Sequence, residues 1–142
     1  MKNRKLKIIV DILMFLLLVF LLIPPSRIGV PFHIIGGIIF TSLVVTHICL
    51  NIKMFVSLVN ASKTKKLNDK MKKQYVIDWL LVIVWSIAIL SGFVAIGFAV
   101  GEMENLFIFS RIHNIAARLG FLFIIVHLFQ HRKQIRSYIK RK

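Results

Sequence analysis

The chain has little of what most enzyme chemistry requires. Cys49 is the single cysteine in 142 residues, so no internal disulfide and no thiolate cluster can form. Acids are also scarce, with 5 Asp and Glu against 20 Lys and Arg. No catalytic triad, carboxylate pair or phosphate-binding loop is recognisable, which leaves any redox chemistry to a bound cofactor. The lack of acids along the apolar stretches also argues against a metal-ion transporter.

Apolar sequence is what the chain has in quantity. Hydrophobic residues make up 58% of it, and the mean hydropathy is +0.81. Four runs, Ile8–Ile23, Val30–Asn51, Val76–Val100 and Leu106–Gln130, approach or exceed the roughly 20 residues that cross a bilayer. The first run follows a basic start, "MKNRKLK", as a signal peptide would. However, "LLIPPSRIG" offers no small-x-small cleavage site, so a retained signal-anchor helix is expected.

The formal charge of +15 is gathered in the amino end, the middle segment "KTKKLNDKMKKQ" and the carboxyl end "HRKQIRSYIKRK". The segments "PPSRIGVP" and "GEMENLFIFSR" are nearly neutral or slightly acidic. Basic segments stay in the cytoplasm, and four spans with both ends inside put all three on that side. Anionic lipid and this topology rule account for the lysines, so no nucleic-acid partner is expected. The expected fold is therefore all-α: an integral four-helix up-and-down bundle in the cytoplasmic membrane, with both termini cytoplasmic. It forms one transmembrane domain over residues 1–142.

A weak repeat runs through it. "HIIGGIIFTSLVVTHICLNIK" (His33–Lys53) aligns with "HNIAARLGFLFIIVHLFQHRK" (His113–Lys133). Both histidines match, as do the terminal lysines and a small pair, Gly36–Gly37 with Ala116–Ala117. The chain reads as two hairpins, about 8–53 and 76–133, each ending in a helix with two histidines. Parallel repeats of this kind occur among membrane folds.

Ionisable side chains inside a membrane are costly and usually functional. Fourteen residues of α-helix rise about 21 Å and stop about 40° short of four turns. His33 and His47 thus share a face of one helix, and His113 and His127 share a face of another. Packed across a bundle, His33 meets His113 at the outer level and His47 meets His127 at the inner level. Each level then offers two imidazoles, too few for a closed zinc site but suited to the axial positions of a haem iron. Bundle cores commonly hold such cofactors. Histidines that merely bond between helices, with no cofactor, are the plainer alternative.

The neighbouring residues divide the same way. Gly36, Gly37, Ala116 and Ala117 follow a histidine on its own face, and Gly120 lies midway between His113 and His127. They make room for a flat macrocycle or for close helix contact. Arg118 has no carboxylate at its depth, and it either pairs with a haem propionate or snorkels outward. Arg27 and Arg111 are further outer candidates for such pairing. Lys53 and Lys133 are inner ones, although they read better as topology signals. His131, one turn past His127, is a metal chelator, an alternative ligand, a quinone contact or a polar helix end. Asp11 and Asp78 near the inner ends relay protons, pair with a basic group of the haem site or, most simply, are solvated. Trp79 is read as an interfacial anchor.

The histidine spacing, "LSGFVAIGF" on the preceding helix and "HLFQHRK" at the end resemble the flavinylation-associated membrane cytochromes. The resemblance covers about His33 to Lys133, and the first helix matches only as an apolar span. It implies two b-type haems, ligated by His33, His47, His113 and His127. It also implies electron transfer through the membrane to extracytosolic proteins that carry covalent flavin. The first repeat departs from the second in having Asn51 where the second has His131. The irons would be about 20 Å apart, given the helix rise. A quinol or a cytoplasmic-side reductase is the expected donor. The other readings are a stand-alone quinol-oxidising or quinone-reducing di-haem cytochrome b and a haem-free membrane anchor subunit.

Overall fold

The computed structural model describes residues 2–63, 68–100 and 106–140, with side chains over 5–63, 68–97 and 107–132. The segment 101–105 and the side chain of Lys133 lie outside the described residues. Five helices follow in order: α1 (Lys2–Leu21), α2 (Pro25–Ile28), α3 (Val30–Lys63), α4 (Asp69–Val100) and α5 (Leu106–Lys140). No strand occurs among the described residues.

Local chemistry sets the breaks. α1 closes with Leu22 N–H on Leu18 O and Ile23 N–H on Phe20 O, both at 3.1 Å. Pro24 and Pro25 then stop it, since neither has an N–H to donate. Pro25 instead opens α2, where a fixed φ and a missing donor cost nothing. Gly29 ends α2 at φ +87°, a backbone region that side chains with a Cβ avoid. Its carbonyl accepts the His33 N–H at 3.2 Å, starting α3. Asn68 caps α4, its Oδ1 accepting the Met71 N–H at 2.9 Å.

α3, α4 and α5 are each long and apolar enough to cross a membrane, which marks the chain as a membrane protein. α1 has a basic start, with Lys2, Arg4, Lys5 and Lys7, and carries Asp11 within its apolar run. The outward surface is oily: Phe107 is 72% exposed and Phe32 66%. Polar side chains on these helices satisfy themselves locally. Thr41 and Ser86 donate back to the carbonyls of Gly37 and Val82 at 2.8 and 2.7 Å, as lipid surroundings require.

The helix starts at Val30 and Leu106 and the end at Val100 coincide with the expected ones. The basic ends do not. α3 runs on to Lys63, α4 begins at Asp69 and α5 continues to Lys140. Lysine, glutamine and arginine are good helix formers, and no proline or glycine interrupts these segments.

By its contacts the chain divides into two compact units, Met1–Ser57 and Leu58–Lys142. In the first, α1 lies antiparallel to α3: Lys7 Nζ donates to Asn51 Oδ1 at 2.9 Å, and Leu17 and Leu21 pack on Gly36. In the second, α4 and α5 pack together with Trp85 against Gly120 and Gly92 against His113. The two pairs share one register. Asp11 and His47 in the first correspond to Asp78 and His127 in the second. The repeat thus extends to the first helix of each hairpin.

Candidate cofactor and metal centre

Each second-helix histidine near the basic end is held by a carboxylate from the first helix of its own hairpin. His47 Nδ1 lies 2.7 Å from Asp11 Oδ1, and His127 Nδ1 lies 2.9 Å from Asp78 Oδ1. At the other end of α5, His113 Nδ1 lies 2.7 Å from the Ala88 carbonyl. A carboxylate and a carbonyl only accept, so Nδ1 donates in all three bonds. In the neutral ring the lone pair then sits on Nε2, the atom a metal would take.

The environments differ. The Asp11 and His47 side chains are 51% and 32% exposed, whereas those of Asp78 and His127 are 12% and 25% exposed. The second pair is therefore less screened by solvent. Asn51 completes the first pair by donating Nδ2 to the His47 carbonyl at 2.9 Å while accepting from Lys7. The corresponding residue of the second hairpin, His131, lies tilted against His127 with 4.5 Å between ring centroids. Asp78, His127 and His131 each bring one ligand atom within 4.8 Å of the others, a cluster that can hold a metal ion. The first hairpin has no counterpart, because Asn51 replaces the third ligand.

His33 is half-buried one turn into α3. Of the small residues expected beside the histidines, Gly36 and Gly120 are occupied within their own hairpins. A Cβ on Gly36 would meet Leu21 at 3.0 Å, and one on Gly120 would meet the Trp85 ring at 2.9 Å. Ala116 is buried, and Ala117 is half-buried. Of the three glycines in this group, Gly37 alone has nothing within 4 Å of an added Cβ. Arg27, Arg111, Arg118 and Lys53 are exposed, and Arg118 has no ion-pair partner among the described residues. Trp79 meets Tyr75 edge-on at 6.3 Å, an aromatic pair at the basic end of α4.

Gly92 is a site residue that sequence reasoning did not single out. A Cβ there would lie 3.0 Å from His113 Nδ1, so any side chain would press on the ring that reaches the Ala88 carbonyl. Its signal is register: in an antiparallel pair it sits at the level of His113. A cleft lined by Gln74, Gln130, Lys70, Lys73 and Arg132 opens at the basic end of the second unit. The buried Gln130 Oε1 has no hydrogen-bond partner among the described residues.

Comparison with family models, with curated proteins and with solved structures finds no match to this chain.

Proposed function

We propose that the chain is a transmembrane electron carrier of the cytoplasmic membrane. Its reading is a four-helix up-and-down bundle with cytoplasmic ends that binds two b-type haems. His33 and His113 would hold one, and His47 and His127 the other. The observation that carries this is the fixed tautomer. Three of the four histidines are tied at Nδ1 by acceptor-only partners, which directs Nε2 toward a metal and orients the ring. The open space at Gly37, one turn from His33, suits a flat macrocycle.

A bound haem supplies one-electron transfer. The chain's own residues do the rest. Asp11, Asp78 and the Ala88 carbonyl orient the imidazoles, Gly92 gives His113 its room, and the apolar helices exclude water. The cleft lined by Lys70, Lys73, Gln74, Gln130 and Arg132 at the basic end suits a hydroxylated donor such as a quinol. The expected acceptor is an extracytosolic flavin-bearing protein, as the family resemblance implies.

The test is the reduced-minus-oxidised absorption spectrum of the purified full chain, with haem counted per polypeptide. Two haems are expected, falling toward one in His47→Ala or His127→Ala. No haem after expression with haem supplied would remove the electron-transfer reading.

The Asp78–His127–His131 cluster favours a second reading, a divalent metal site in the second hairpin. Two imidazoles and a carboxylate suit zinc with one open position. Zinc bound per chain by the haem-free protein, and lost in His131→Asn, would favour it.

A further inference from the structure

Carboxylates hold the histidines at one end of the helices, and in α5 a neutral carbonyl holds the histidine at the other. His127 donates to Asp78 at 2.9 Å, while His113, fourteen residues earlier, donates to Ala88 O at 2.7 Å. In α3, His47 donates to Asp11 at 2.7 Å. A hydrogen bond to an ionised acceptor is roughly twice as strong as one between neutral groups. It draws the ring N–H toward the acceptor and makes the opposite nitrogen a better electron donor. A metal bound there is held more firmly in its oxidised state, because hydrogen bonding around the ligands is one of the levers on potential.

We propose that Asp11 and Asp78 are positioning residues that set a redox polarity along the chain. They hold the centre ligated by His47 and His127 at a lower potential than the centre ligated by His33 and His113. The inference rests on the two-haem reading. Asp78 has the larger share, since its side chain is 12% exposed against 51% for Asp11 and its charge is less screened. The polarity favours electrons that enter at the carboxylate end and leave at the carbonyl end.

The test is an equilibrium redox titration of the haem-loaded full chain, followed at the haem absorption bands. The wild type is expected to titrate in two waves, with the lower wave missing from His47→Ala and His127→Ala. Asp78→Asn keeps an acceptor oxygen and removes the charge. It is expected to raise the lower wave and leave the upper one in place. Asp11→Asn should do the same to a smaller extent, and Asp78→Glu should restore the lower wave toward its wild-type position. The ferric low-spin g values of the same haem should move with Asp78→Asn. A purely structural role would lower haem content or thermal stability without moving the potential of the haem that remains. Two haems whose waves are both unmoved in Asp78→Asn, or an upper wave that moves alone, would overturn the polarity and leave the two-haem reading intact. A wild-type chain without haem would overturn both.

Discussion

Gly120 illustrates how closely α4 and α5 approach. A methyl group added there would lie 2.9 Å from Trp85 Cε2, 3.1 Å from Cζ2 and 3.2 Å from Nε1. These contacts are with a rigid ring rather than a flexible chain end. Overpacking of this kind costs about 1–3 kcal/mol. The alanine recovers up to about 1 kcal/mol in helix propensity. A net loss of up to about 2 kcal/mol is expected for Gly120→Ala, a factor of up to roughly 30 in the folded-to-unfolded ratio. Gly37→Ala is the control. Nothing lies within 4 Å of its added methyl, so the propensity gain should stand alone and the haem-free chain should be stabilised. Trp85→Leu removes the obstruction, and in that background Gly120→Ala should become neutral or stabilising. The assay is reversible denaturant unfolding of the haem-free full chain in detergent, followed by circular dichroism, over the complete double-mutant cycle. A coupling energy of about 0.5–3 kcal/mol is the range for residues in contact. If Gly120→Ala matches Gly37→Ala, or costs the same with and without Trp85, the close approach is refuted.

The other predictions concern the histidines. Gly92→Val should push the His113 ring off the Ala88 carbonyl, costing about 1–3 kcal/mol. It should also lower the haem count from two toward one, read by the pyridine haemochrome assay; an unchanged count and stability would refute the contact. Asp78→Ala should destabilise the haem-free chain by about 1–3 kcal/mol, because it strips a half-buried imidazole of its acceptor. Asp11→Ala should cost less than about 1 kcal/mol, since that pair is more exposed. Unfolding of both variants checks the order, and a reversed order would refute the argument from burial.

Much of the helical layout was legible in the residues. Proline and glycine around Pro24–Gly29 punctuate the chain, and apolar sequence resumes sharply at Val30 and Leu106, so those boundaries fall where expected. The basic ends were less legible. Lysine clusters signal which side of the membrane a segment faces, and that signal says nothing about where a helix stops. The histidines of the repeat could be read by alignment, but the role of Asp11 and Asp78 could not. Solvation at a helix end and pairing with a histidine look alike until the antiparallel register places Asp11 opposite His47 and Asp78 opposite His127. Gly120 was legible only as a choice between space for a cofactor and close helix contact, and a tryptophan from the preceding helix lies against it. Single-helix periodicity has no means of seeing a neighbour's side chain. The first hairpin's Asn51 was visible as a departure, and its bond to Lys7 explains what replaced the histidine.

The shared register also shows that bulk can change sides within a hairpin while its polar pair stays put. Leu18 and Phe40, 2% and 3% exposed, hold the places in the first hairpin that Trp85 and Gly120 hold in the second. One hairpin puts its bulk on the second helix, and the other puts it on the first. Volume given up on one helix is made good on its neighbour. Each hairpin thereby keeps its carboxylate within reach of its histidine, Asp11 of His47 and Asp78 of His127.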